Sequence, residues 1–239
     1  HLRTRRQRQM CIRDSNKLTL DKKSYATFFD KENEIRYFRM NDWIHGRLWS
    51  SVNPINKSLR HELGLESAKL ILKLRKINSS YLREDFDWDL SNYSWVEKFY
   101  KKIHIGKKRQ LIIEKLLVNF KKKQSEYDGL RKNLIHNDLN DNNIIVSKNL
   151  RNPKIVGFID FGDCIKSQLI NELAVACTYG IIDSMNPLDS ACEIVKGFNS
   201  EIKINETEIE FLYELILLRI SISILKSSLN EKYNPDNKY

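Results

Sequence analysis

Residues 134–163, LIHNDLNDNNIIVSKNLRNPKIVGFIDFGD, decide how this chain is read. Three short apolar runs, 134–136, 144–147 and 155–159, are too brief for helices and rich in Ile and Val, which predicts strands. Polar segments separate them, with Asn152-Pro153 marking one turn. Oxygen-bearing side chains stand at the ends of these runs: Asp138 after the first, Asn143 before the second, and Asp160 at the tip of the third. A strand–turn–strand return over 144–159 predicts that Asp160 comes back to the neighbourhood of Asn143.

The spacing His136-x-Asp138-x-x-x-x-Asn143, followed by Ile159-Asp160-Phe161-Gly162-Asp163, is the residue set that phosphoryl transfer to a hydroxyl requires. Such a reaction needs a carboxylate to orient the acceptor hydroxyl, and oxygen ligands for a divalent cation that offsets phosphate charge. Two blander readings compete. Asp138 and Asn140 could shape a turn through their side chains, as Asp and Asn often do, but that leaves Asp160 without a role. A metal-dependent hydrolase would need more His or carboxylate ligands, and His136 is the one histidine nearby.

Working outward, 25–29 and 35–40 are aromatic and apolar runs around the polar Asp30-Lys31-Glu32-Asn33, which predicts a β-hairpin. Gly46 breaks the chain after a connecting segment, 41–47. Leu59, Leu63, Leu70, Ile71 and Leu74 recur at helical spacing, predicting a helix from about 56 to 77 with Ser58 as its cap. An aromatic and acidic loop over 81–95 follows, then one long amphipathic helix over 107–131. After residue 163, helices are predicted over 169–182, 187–198 and 206–225. The order gives a two-part α+β plan, with a β-rich piece at 16–46 and a mainly helical piece at 47–239.

The 239 residues are 41 % apolar, enough to build a core. Residues 1–15, HLRTRRQRQMCIRDS, hold five Arg and one Asp, so they carry +4 of the formal +10. They differ in composition from the Lys-, Asn- and Ile-rich remainder and read as a non-native prefix, with a basic nucleic-acid-binding arm as the alternative. The remaining positive charge is dispersed, which argues against a nucleic-acid partner. The most apolar stretch, 211–225, is interrupted by Glu214 and Arg219, and no membrane span is predicted. Cys11, Cys164, Cys177 and Cys192 are scattered without a paired spacing, which suits reduced thiols and a cytoplasmic location.

The segment around Asp138, Asn143 and Asp160 resembles the catalytic and metal loops of the aminoglycoside phosphotransferase and choline kinase superfamily. That resemblance implies a protein-kinase-like fold with a partial N-terminal β lobe and a helical C-terminal lobe. It implies Asp138 as catalytic base, His136 as support for the loop, and Asn143 and Asp160 as ligands of Mg²⁺ and of the phosphates of ATP or GTP. The segment 38–47 resembles the superfamily's lobe connector, which would place Trp43 and Ile44 against the nucleotide base; a packed strand end is the equal alternative. Asn137, where many relatives have Gly, and the run Asn171-Glu172-Leu173-Ala174-Val175-Ala176 look most like the hydroxylysine kinase branch.

An ammonium-bearing acceptor calls for carboxylates or aromatic faces. Asp163, Glu172 and the loop Glu84-Asp85-Phe86-Asp87-Trp88-Asp89 are candidates, each with a bland alternative as surface or intrahelical pairing, Glu172 with Arg219 among them. Aminoglycoside-, homoserine- or choline-type acceptors, and an inactive pseudokinase, are the alternatives to hydroxylysine. Some relatives are fused to an aminotransferase, so a fusion or a neighbouring aminotransferase is a further expectation. None of the eight glycines cluster into a phosphate-covering loop, and its partner Lys is not located. The sequence therefore reads as a fragment that begins midway through the first lobe, with little activity expected of it alone.

Overall fold

The computed structural model describes residues 16–77 and 86–233. The prefix 1–15, Glu84 and Asp85 of the acidic loop, and Asn234 and Pro235 lie outside the described residues. In chain order the elements are β1 (Asn16–Lys17), β2 (Ala26–Phe29), β3 (Ile35–Phe38), β4 (Met40–Asn41), β5 (Arg47–Leu48), α1 (Lys57–Leu74), α2 (Ser94–Phe99), α3 (Lys107–Lys122) and α4 (Gln124–Asp128). They continue with β6 (Lys132–Ile135), β7 (Ile144–Val146), β8 (Ile155–Phe158), β9 (Ile165–Gln168), α5 (Leu169–Gly180), α6 (Pro187–Glu201) and α7 (Glu206–Tyr233). By packing the chain forms two units, up to Pro54 plus Asp141–Asp163, and Ile55–Asn140 plus the rest from Cys164.

In the first unit the expected hairpin forms, with β2 and β3 antiparallel from Ala26–Phe38 to Phe29–Ile35. Its turn is built by Asp30, whose Oδ1 accepts the amides of Glu32 and Glu34 at 2.9 and 3.0 Å, while Asn33 takes the left-handed φ of 59° that Asn tolerates. A second sheet, in the order β5-β7-β8, is antiparallel throughout. The 141–163 segment belongs to this unit because Arg47 and Leu48 pair with Val146 and Ile145. Gly46 makes that approach possible: a Cβ there would sit 2.6 Å from the Val146 carbonyl oxygen. The β7–β8 turn is closed by Asn149, whose Oδ1 accepts the amides of Arg151 and Asn152.

The second unit has a two-stranded sheet, β6 with β9, and the helices. Strand β9 went unforeseen because Ile165-Lys166-Ser167-Gln168 carries one large apolar residue. It forms because all four residues pair with β6, from Lys132–Gln168 to Ile135–Ile165. Helix α5 starts directly after it and is buried along nearly its whole length, so its sequence is apolar all round. Tyr93, Phe120, Tyr127 and Phe211 form an aromatic core with edge and tilted contacts, ring centroids 4.9–5.9 Å apart. The Tyr127 hydroxyl donates to Asn171, Asn171 to Ser167, and Ser167 to Asp89 at 3.0, 3.0 and 2.7 Å, a buried polar chain that ties the 86–93 segment to α5.

Several helix limits differ from the sequence reading. The cap of α1 is Asn56, whose side chain accepts the Leu59 amide, so Ser58 lies inside the first turn. The helix expected as one piece over 107–131 stops at Lys122, where Lys123 leaves helical geometry at φ −105° and ψ 9°, and a short α4 carries Tyr127 into the core. Helix α2 occupies the end of the expected loop.

Helices α1 and α6 meet at two glycines. A Cβ on Gly64 would lie 1.8 Å from the Ile194 carbonyl oxygen, and one on Gly197 would lie 1.8 Å from that of His61. These are backbone clashes that no rotamer change relieves. Gly64→Ala and Gly197→Ala are each expected to destabilise the chain by about 1–3 kcal/mol or more in urea unfolding, although Ala favours helix over Gly. A stabilised variant would contradict the close crossing.

Candidate active site

The second unit builds a tight loop between β6 and Asn140. Strand β6 ends at Ile135, and α5 presents Glu172, fully buried, beneath the turn that follows. The Glu172 carboxylate accepts the His136 amide on Oε1 at 3.2 Å and the Asn137 amide on Oε2 at 2.8 Å. Asn137 has φ 66°, a left-handed conformation open mainly to Gly, Asn and Asp, which accounts for the residue type at this position. The imidazole of His136, also fully buried, accepts the Asp138 amide on Nδ1 at 3.3 Å.

Asp138 itself is part-exposed at the end of this loop. Asn140 Nδ2 donates to its Oδ2 at 2.9 Å, and Arg219 Nη2 donates to its Oδ1 at 2.7 Å. Arg219 comes from α7 and is 1 % exposed. Its guanidinium carbon lies 4.6 Å from the Trp88 ring centroid and 5.5 Å from that of Tyr179. In the sequence Arg219 stands as a lone charge in an apolar helix with Glu172 as a candidate partner; in the structure its hydrogen-bonded carboxylate is Asp138. An Arg breaking the apolar pattern of a buried helix was the signal available.

Asn143 and Asp160 belong to the first unit, where β7 and β8 place them at the same end of one ladder. Ile144 pairs with Phe158, and the Ile159 amide donates to the Asn143 carbonyl at 3.0 Å, extending the pairing to the two residues that flank the site. Asp160 has φ 61° and its Oδ1 accepts the Gly162 amide at 3.3 Å. Both side chains offer oxygen donors only, which fits a hard cation such as Mg²⁺. Asp163 closes the short 3₁₀ turn Phe161–Asp163 in the same unit.

Trp43 is exposed, and Ile44 reaches β8, where its Cδ1 would meet a Cβ on Gly157 at 2.6 Å. Of the acidic residues considered for an ammonium, Asp87 pairs with Lys226, and Asp89 is taken by Ser91 and Ser167. The second unit thus holds an ordered carboxylate on a braced loop beside a buried cation, and the first holds an oxygen-donor pair at a strand end.

Residues 23–194 match the phosphotransferase enzyme family, and the chain belongs to that family. It is 30 % identical to hydroxylysine kinase of Mus musculus over 210 residues, which cover 84 % of this chain and 55 % of that one. Hydroxylysine kinase of Bos taurus is 26 % identical over 230 residues, 91 % of this chain and 61 % of that one. The chain therefore spans little more than half the length of these curated relatives. Among solved structures, a microcompartment-associated aminopropanol kinase superposes with a TM-score of 0.64 at 18 % identity, covering 93 % of this chain and 75 % of that one. An amicoumacin kinase gives 0.62 at 16 %, covering 91 % and 64 %. The fold is the kinase-like α+β fold of these phosphotransferases. Among the described residues no helix is long and apolar enough to cross a membrane.

Burial raises the Glu172 carboxyl from its ordinary 4.5 to about 7; the Asn137 and His136 amides pull it down, Asp138 pushes it further up and Arg219 pulls it down. The folded chain holds this proton more tightly than the unfolded one. The stability it contributes is complete below pH 4.5 and is lost as pH rises to about 7. Glu172→Gln offers one acceptor where two amides need partners and is expected to cost about 1–3 kcal/mol in urea unfolding at neutral pH. The gap between wild type and variant should narrow as pH rises from 4.5 towards 7 and then stay constant; a gap independent of pH would contradict this assignment.

Proposed function

We propose that this chain carries the catalytic residues of a small-molecule kinase, transferring the terminal phosphoryl group of ATP or GTP to the hydroxyl of a small amine, with hydroxylysine as the acceptor. The observation that carries the reading is Asp138, held at both carboxylate oxygens on a loop whose backbone is fixed by Glu172. The hydroxylysine kinases among its relatives support the choice of acceptor.

In this reading Asp138 orients the acceptor hydroxyl and takes its proton as the acceptor oxygen bonds to the terminal phosphorus. The bond from that phosphorus to the bridging oxygen breaks, and the nucleoside diphosphate leaves with the electron pair. Asn143 and Asp160 would hold Mg²⁺, which supplies positive charge to the phosphates when bound. Asn140 and His136 keep the carboxylate and its loop in place, and the Asp138 amide on His136 Nδ1 leaves the proton of neutral His136 on Nε2. Trp43 and Ile44 are assigned to the nucleotide base. Nothing in this chemistry calls for a nucleic acid or a membrane, and the cytoplasm supplies both substrates. An aminotransferase encoded beside or fused to this gene would fit a catabolic role for an amino-acid acceptor.

The test is nucleotide consumption with hydroxylysine, homoserine, choline, an amino alcohol and an aminoglycoside, using this chain and a form extended by any coding sequence upstream. Phosphorylation of hydroxylysine above the others is expected, with Asp138→Ala lowering kcat by about a hundredfold or more and leaving KM for nucleotide nearly unchanged. An acceptor signal that survives Asp138→Ala would overturn the assignment.

A further inference from the structure

The buried Arg219 is not explained by its bond to Asp138. Only Nη2 has partners, Asp138 Oδ1 at 2.7 Å and the Tyr179 hydroxyl at 3.3 Å. Nε and Nη1 are shut off from solvent and have no hydrogen-bond partner among the described residues. A buried charged donor left without an acceptor is costly, and such groups are normally satisfied by protein, water or ligand. A purely structural cation at this place would be expected to have acceptors for all its donors.

The surroundings narrow what that acceptor is. In a pocket for a simple amine, aromatic faces and unpaired carboxylates would receive the ammonium. Here the Trp88 and Tyr179 rings already flank a guanidinium, and Asp87 is neutralised by Lys226, which itself lies 4.1 Å from the Trp95 ring centroid. Helix α7 thus supplies Arg219 to Asp138 and, seven residues on, Lys226 to Asp87. Arg219 Nε and Nη1, buried and without an acceptor among the described residues, favour an acceptor that carries an anion as well as an ammonium.

We propose that Arg219 is the contact for a carboxylate on the acceptor, so that the enzyme selects hydroxylated amino acids over simple amino alcohols. Trp88 and Tyr179, whose rings flank the guanidinium, are both partly exposed. The inference rests on the kinase reading for the presence of an acceptor near Asp138, and it assigns Arg219 as a specificity-determining residue.

The experiment titrates the 239-residue chain with hydroxylysine and with its decarboxylated analogue, following the Arg219 Nε–H and Trp88 indole resonances by NMR. Hydroxylysine is expected to shift both and to bind about tenfold or more tightly than the analogue, the increment of a charge-assisted hydrogen bond. Arg219→Met, which fits the same aromatic sandwich, should lose the preference and bind the two probes alike; Arg219→Lys should restore part of it. The wild-type comparison stands even if a variant fails to fold. Equal binding of both probes by wild type overturns the carboxylate contact while leaving the kinase reading in place. Failure of both probes to shift either resonance overturns the contact and the amine-acceptor reading together.

Discussion

The carboxylate of Glu172 under the amides of His136 and Asn137 is the contact on which the rest of the site depends. It is fully buried, so its two oxygens must be satisfied, and backbone amides of the loop above supply the donors. That requirement locks the loop to α5, the most completely buried helix of its unit. The left-handed turn at Asn137 costs backbone strain that persists only where the surroundings fix it, and here Glu172 and His136 do so. Asp138 thus projects from a frame anchored in the core, as its proposed role of positioning a reacting hydroxyl demands.

Electrostatics around the loop follow from the same burial. Glu172 is pushed towards neutrality by desolvation, whereas Asp138, part-exposed, is paired with a buried guanidinium. Two carboxylates 34 residues apart therefore sit differently: Glu172 is buried and holds backbone, and Asp138 is part-exposed and paired with Arg219. The buried polar chain from Tyr127 through Asn171 and Ser167 to Asp89 fixes the segment that carries Trp88, and with it one wall around Arg219.

Much of this was legible in the residues. The β2–β3 hairpin, α1, α5, α6, α7 and the β7–β8 return follow from periodicity and turn chemistry, because each is specified locally. Strand β9 was hidden because its Lys and Ser carry no apolar signal, and only pairing with β6 makes it a strand. The break at Lys123 was hidden for the opposite reason: the apolar spacing continues across it, and the demand of Tyr127 for the aromatic core decides where the helix ends. In the sequence, Asp138, Asn143 and Asp160 stand out as a spaced motif. The roles of Glu172 and Arg219 depend on which groups a buried charge meets across 35 to 81 residues of chain, and no spacing rule encodes that.

The proposed cation site is Asn143 and Asp160, at one end of the β7–β8 ladder. Paramagnetic broadening by Mn²⁺, standing in for Mg²⁺, in the presence of ADP tests it directly on isotopically labelled chain. The account predicts that the amide and side-chain resonances of Asn143, Asp160 and their neighbours broaden first, and that Asp160→Asn abolishes the effect. Broadening centred instead on the exposed acidic turn of Asp30, Glu32 and Glu34, with Asn143 and Asp160 unaffected, would contradict it.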